Sequence, residues 1–223
     1  MSFPNVDDVR ARIEAVEPYD IRYVLECAYL FCGRISELVS ESCPGDKKTV
    51  PRGPTGKDVG VDTFEFGPLK VEVAIFNIKT AKRQGKPRLI ALPLDKKYES
   101  WTEEILDYYN ECGSKPLFPF TRQRAWQHSK EAFEGLTYPI DRYIVTKKSE
   151  LEKITVNAHN RAFRLHALRH LRTTELITVY GFDGIDLSIY GGWTLRSMLG
   201  VGSSMERYAH LQWQKYFPKL LRR

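Results

Sequence analysis

Apolar residues recur at helical spacing in two long stretches of the chain. The apolar positions of the first stretch, residues 21–40, are Ile21, Val24, Leu25, Ala28, Leu30 and Phe31. Those of the second, residues 157–180, are Phe163, Leu165, Leu168, Leu171 and Leu176. This spacing predicts two helices with one buried face, the first interrupted at Gly33. Shorter helices are predicted over residues 6–15, 98–110, 122–133 and 185–190.

A strand pattern separates the two long helical stretches. Residues 71–78 and 88–93 are rich in β-branched and apolar side chains, and a turn at residues 83–86 joins them. This predicts a hairpin within a small antiparallel sheet. Residues 41–62 are rich in Pro and Gly and are predicted to be loop. The fold class predicted is α+β, mostly helical.

Composition narrows the functional classes. The chain has 223 residues, a net charge of +6 and 42% hydrophobic residues, which is typical of one globular domain with a mild preference for polyanions. The four cysteines, Cys27, Cys32, Cys43 and Cys112, lack the spacing of metal ligands. Reduced thiols, no signal peptide and no membrane-spanning run predict a soluble cytoplasmic protein.

The second helix carries the strongest chemical signal. His166, Arg169 and His170 are three and four positions apart, so they share one helical face. A guanidinium beside two imidazoles suits an anionic ligand. The alternative is an ordinary solvated basic face.

Four motifs occur in a fixed order along residues 24–211. They are Cys-Gly-Arg-Ile-Ser-Glu-Leu at 32–38, His-x-Leu-Arg-His at 166–170, Gly-Trp at 192–193 and Tyr-x-His-Leu at 208–211. In order and local sequence they resemble the tyrosine recombinase (phage integrase) family, and the phrasing is closer to archaeal than to bacterial integrases. The resemblance implies the mostly α-helical catalytic fold of that family, with a small three-stranded antiparallel sheet.

The resemblance also implies roles for individual residues. Arg34 and Arg169 would contact the scissile phosphate, supported by Glu37, and His166 and Trp193 would add hydrogen bonds to its oxygens. The remaining implied catalytic residues are Tyr208 as nucleophile, His170 as its helper and Lys79 on the hairpin as proton donor. No metal and no cofactor is implied.

Several of these assignments have competitors in the sequence. Lys82 and Lys86 compete with Lys79, and Trp193 would by itself be read as a core residue. The other nearby phenols are Tyr180, Tyr190 and Tyr216. The interval between Trp193 and Tyr208 is longer than is common in the family, which leaves open delivery of the tyrosine in cis or from a neighbouring subunit.

The function implied is cleavage and rejoining of DNA strands through a 3′-phosphotyrosyl intermediate, without metal or ATP. The partners implied are double-stranded DNA and further copies of the chain in a synaptic tetramer, with no membrane and no small-molecule ligand, and the protein would be associated with the nucleoid. The alternatives are a DNA-binding or regulatory relative that does not cleave, and a type IB topoisomerase.

The domain organisation expected is a single catalytic domain over residues 1–223, without the N-terminal DNA-binding domain that usually precedes the arginine motif. The chain would be a fragment or a minimal enzyme, with weak and strongly salt-dependent DNA binding. Residues 212–223 are predicted to form a helix with an apolar face that packs on its own domain or on a neighbour.

Overall fold

The computed structural model describes residues 4–42, 53–80, 87–139, 144–145, 151–152, 160–192 and 213–221. Its helices are α1 Val6–Glu14, α2 Tyr19–Leu30, α3 Ile35–Leu38, α4 Thr102–Cys112, α5 Arg122–Ala132, α6 Leu165–Thr178, α7 Gly184–Gly191 and α8 Phe217–Leu220. Its strands are β1 Val39–Glu41, β2 Val59–Phe66, β3 Leu69–Lys79, β4 Pro87–Pro93, β5 Phe118–Thr121, β6 Thr137–Pro139, β7 Ile144–Val145, β8 Leu151–Glu152 and β9 Asn160–Ala162. The predicted α+β class with a small three-stranded antiparallel sheet is confirmed.

Helix α2 is the centre of the helical part. Nearly all of its residues from Ile21 to Leu30 are buried, and α1, α5 and α6 pack against it. A helix that is apolar on most of its circumference must be enclosed by other elements. The surrounding helices therefore hold the C-terminal end of α2 in place, and Arg34 follows this end by four residues.

Strands β2, β3 and β4 form an antiparallel sheet in that order. Residues that pair across strands share a face, so Phe76 lies beside Ile90 and Ile78 lies beside Arg88 on the face that packs on the helices. The opposite face carries Val71 beside Phe64. Both faces of the sheet are therefore covered over much of their area.

The C-terminal segment covers the second face of the sheet. Phe64 packs against Trp213 and Phe217, with ring centroids 5.7 and 5.0 Å away. The Ala91 N–H donates to the Tyr216 hydroxyl at 2.8 Å. Of the two packing modes expected for this segment, the structure has it on its own domain.

Three further strand pairs lie outside this sheet: β1 with β5 in parallel, β6 with β9, and β7 with β8. The loop predicted over residues 41–62 is corrected at its end, where β2 begins at Val59. The single helix predicted over residues 212–223 is also corrected, because its described part is a 3₁₀ turn at Trp213–Lys215 followed by α8.

A buried network of charges joins α6 to α1, α2 and Glu99. Arg172 donates to Glu175 at 2.6 Å, and the Tyr29 hydroxyl donates to the same carboxylate at 2.6 Å. Glu99 lies 3.5 Å from Arg172 and accepts from Arg10 at 2.6 Å. Two arginines and two glutamates neutralise one another, which is the condition for burying ionised groups.

Within the described residues, no helix has the length and apolar character that crossing a bilayer requires.

Candidate functional site

A tight turn at the end of α2 presents Arg34. The N–H of Gly33 donates to the Ala28 carbonyl and the N–H of Cys32 donates to the Tyr29 carbonyl, which is the paired bonding of a Schellman motif. Cys32 has a φ of 46°, in the left-handed region that this motif requires. The turn ends α2 and makes Arg34 the first residue before α3.

Glu37 holds Arg34 from one turn further along. The Arg34 Nη1 donates to Glu37 Oε1 at 3.0 Å, and the Arg34 backbone N–H donates to Glu37 Oε2 at 3.1 Å. The Glu37 side chain is buried, whereas 29% of the Arg34 side chain is exposed. The carboxylate therefore orients the guanidinium while leaving part of it accessible to a ligand.

Arg88 is a second arginine on the same carboxylate. Its Nη2 lies 3.4 Å from Glu37 Oε2, and its Nη1 donates to the Phe31 carbonyl at 2.9 Å and to the Tyr190 carbonyl. The Arg88 side chain is 4% exposed. It joins the end of α2, the start of α3 and the end of α7 through one buried guanidinium.

Sequence reasoning missed Arg88, although the strand pattern held a signal for it. Arg88, Ile90 and Leu92 alternate along β4 and so share one face, which Ile90 and Leu92 mark as buried. A buried guanidinium needs acceptors, so an arginine at this position indicates nearby carbonyl or carboxylate groups.

The Gly-Trp motif begins against Arg88. Gly192 ends α7 with a φ of 64°, and a Cβ built on it would lie 2.7 Å from Arg88 Cδ and 3.0 Å from Thr80 Cγ2. Only glycine combines this backbone conformation with such a close approach. The chain therefore enters the motif beside the Arg88 side chain. Trp193 itself lies outside the described residues.

Helix α6 presents the predicted basic face. The rings of His166 and His170 meet edge to face, with centroids 4.7 Å apart. Arg169 lies between them in sequence and is 5% exposed, whereas both histidines are exposed. Helix α6 packs on α2, which brings this face next to the turn that carries Arg34.

Burial and neighbouring positive charges lower the pKa values of Arg169, His166 and His170. Desolvation by burial, followed by the charge of Arg34, lowers the pKa of Arg169 to about 10. Burial also lowers the pKa of His166, and His170, Arg169 and Arg34 act in the same direction. Burial and Arg169 lower the pKa of His170. At neutral pH Arg169 is charged and both imidazoles are neutral.

These four side chains are called the cationic cluster below: Arg34, His166, Arg169 and His170. Burial and neighbouring positive charge lower the pKa values of His166, Arg169 and His170, and an anion bound among them would favour their charged forms. The cluster is thus suited to hold an oxyanion such as a phosphate.

The structure does not bring Lys79 to the cluster. Side chains alternate along β3, so Lys79 points to the face of the sheet opposite Ile78 and Arg88, and it is exposed. Its competitors Lys82 and Lys86 lie outside the described residues.

Tyr208 also lies outside the described residues, but the competing phenols are described. Tyr180, Tyr190 and Tyr216 are 2%, 0% and 0% exposed. The Tyr190 hydroxyl donates to the Leu30 carbonyl. Burial raises the pKa values of Tyr190 and Tyr216 above their usual range. A buried phenol is not accessible to a DNA phosphate, so none of the three competes with Tyr208.

No group of three or more His, Cys, Asp or Glu side chains that could hold a metal ion occurs in the described part of the chain. The comparisons with known proteins add no relative: no family model, no curated protein and no solved structure matches this chain.

Proposed function

We propose that the protein is a site-specific DNA recombinase or integrase of the tyrosine recombinase type, with the catalytic fold of that family. The observation that carries the proposal is the cationic cluster, in which Arg34 lies close enough to Arg169 for its charge to lower the Arg169 pKa, although 135 positions (169 − 34) separate them in the sequence. Their motifs are the two arginine motifs of the family resemblance. Cationic donors fixed around one point stabilise the charge that develops on a phosphodiester under attack.

The reaction proposed conserves the energy of the phosphodiester in a protein–DNA bond. The Tyr208 oxygen attacks phosphorus, a Tyr–phosphorus bond forms, and the bond from phosphorus to the 5′-oxygen breaks. The phenolic proton passes to a base, and His170 is suited to accept it because its imidazole is neutral at pH 7. In this scheme Lys82, the hairpin alternative to Lys79, returns a proton to the leaving 5′-oxygen, because Lys79 points away from the cluster.

The side chains of the cationic cluster act on the oxygens of the phosphate in this reaction. The two guanidiniums clamp the non-bridging oxygens, and Glu37 keeps that of Arg34 in position. His166 donates a hydrogen bond from its ring N–H. Trp193 would add an indole N–H, which is a donor only. Reversal of the same steps with a different 5′-hydroxyl rejoins the strand.

The decisive experiment uses a suicide DNA substrate, nicked beside the cleavage position so that religation is lost. The readout is a covalent protein–DNA adduct on a denaturing gel. The parent protein should give the adduct and Tyr208→Phe should not. Tyr216→Phe is the matched control and should retain the adduct, because that phenol is buried. An adduct that survives Tyr208→Phe removes this residue as nucleophile. DNA binding without any adduct favours the alternative of a relative that does not cleave.

A further inference from the structure

A groove of about 860 Å³ opens beside the cationic cluster, between the end of α2, α5 and the start of α6. Its floor is apolar and made of short side chains, among them Ala28, Ile35 and Ala167. Ala28 and Ala167 are buried and each carries only a methyl group, so their side chains take up little of the groove. The groove shares Arg34 and His166 with the cluster, so a ligand in it adjoins the oxyanion position.

The rim of the groove is cationic. Four arginines line it: Arg34, Arg122, Arg161 and Arg164. No aspartate or glutamate is among its described lining residues. An anionic ligand is therefore complementary to this rim.

Aromatic side chains complete the wall. Trp126 on α5 is 44% exposed and lines the groove together with Tyr138. The Lys130 Nζ lies 4.1 Å from the centroid of the Trp126 ring, a cation–π contact. Aromatic rings and guanidinium planes are the surfaces on which proteins stack unpaired bases.

A groove with an apolar floor and a cationic rim favours an unstacked nucleotide over a paired duplex. A phosphate alone gains nothing from the apolar floor, and a paired duplex keeps its bases stacked and offers only its backbone. A nucleotide with its base unstacked offers a flat apolar ring and a phosphate together. We propose that the groove binds one unpaired nucleotide next to the scissile phosphate. The proposal rests on the proposed function in taking DNA as the substrate and the cationic cluster as the position of the scissile phosphate.

The test measures binding with the Tyr208→Phe protein, so that cleavage does not interfere. The probes are a random-sequence duplex and the same duplex with one central unpaired 2-aminopurine, whose fluorescence reports stacking. The protein should bind the unpaired probe about tenfold more tightly than the duplex. Trp126→Ala and Arg122→Ala should each reduce this preference to less than about twofold. Ala162→Leu, which adds bulk to the lining without removing charge, should do the same.

Arg124→Ala is the matched control, because Arg124 lies on the same helix and contacts Asp20 at 3.4 Å instead of lining the groove. It should keep the preference. Equal affinity of the parent for both probes overturns the inference, and so does a preference that survives Trp126→Ala. Variants that weaken both probes equally also overturn it, since that is the signature of backbone contacts alone.

The outcome is separable from that of the proposed function. An adduct on suicide DNA without any preference for the unpaired probe leaves the recombinase proposal standing and removes the nucleotide groove. A preference for the unpaired probe without an adduct supports the groove and favours a relative that binds DNA without cleaving it.

Discussion

Glu37 is shared by two guanidiniums, those of Arg34 and Arg88. One carboxylate cannot neutralise two guanidiniums, so this pair of interactions leaves excess positive charge beside the cationic cluster. Arg88 also ties Glu37 to the backbone at Phe31 and Tyr190. The position of Arg34 therefore depends on a residue that does not itself face the groove.

Gly192→Ala tests this dependence. Its methyl group would displace Arg88, so the rate of adduct formation should fall by about 100-fold, the scale of a misplaced catalytic group. Gly181→Ala is the matched control: its φ of 66° gives a similar backbone cost of about 1–2 kcal/mol, but nothing lies within 4 Å of the added Cβ. That variant should lose stability and keep its adduct rate. Equal adduct rates in the two variants would show that Arg88 does not position the site.

Helix α6 has two charged faces, one in the cationic cluster and one in the buried network of charges. One face carries His166, Arg169 and His170, and the other carries Arg172 and Glu175 in the buried network. The charges of the buried face pair with one another, so the side chains of the exposed face are not needed to neutralise them. On the exposed face both histidines lie close to the buried Arg169, whose positive charge helps to lower their pKa values.

The lowered pKa values of His166 and His170 predict how stability depends on pH. Below an unfolded-state pKa of about 6.5 the unfolded chain binds more protons at these sites than the folded protein does. The free energy of unfolding should therefore rise with pH up to about 6.5 and then level off. Urea unfolding across this range measures it.

The double variant His166→Gln/His170→Gln should flatten this rise. His128→Gln is the control, because His128 lies on α5 and contacts Glu131 instead of the cluster. A rise that persists unchanged in the double variant would assign it to other titrating groups.

Among the described residues of the whole molecule, several arginines lie together where α2, α5 and α6 meet. The chain carries a net charge of +6, and the cluster and the groove together contain five arginines: Arg34, Arg122, Arg161, Arg164 and Arg169. Cations gathered on one side of a domain attract a phosphate backbone more strongly than the same charges spread over its surface.

DNA binding should therefore weaken steeply with salt. If about five phosphates are neutralised, affinity for a random duplex should fall by about 10²–10³-fold between about 50 and 200 mM salt. Arg161→Ala should reduce the slope of log K against log salt by about 1, whereas Arg124→Ala should leave it unchanged. Fluorescence anisotropy across a salt series measures both. An affinity independent of salt would contradict binding through phosphates.

The sequence predicted the elements whose signal is local. The β3–β4 hairpin and helix α6 follow from periodicity, but the helix predicted from residue 157 begins at Leu165, because residues 160–162 pair with β6 as strand β9. The Arg34–Glu37 pair follows from a separation of three residues, which is the spacing of an N-cap and the residue that caps it in return. The residues did not locate strand β2, the third strand implied by the resemblance, because nearly all of its side chains are exposed and no buried face marks it. Its pairing with β3 supplies the hydrogen bonds that define it.

By itself, then, the sequence determined which residues share the face of α6, because that follows from helical geometry. It also determined which carboxylate accompanies Arg34, because Glu37 stands three residues after the N-cap of α3. Only the tertiary structure decided that Arg88 joins Phe31, Glu37 and Tyr190, positions that no local spacing relates. It also decided that short side chains of α2 and α6 leave a groove between arginines of separate elements. The physical reason is that packing between distant segments depends on shape and on the satisfaction of buried charge, neither of which leaves a periodic trace in the chain.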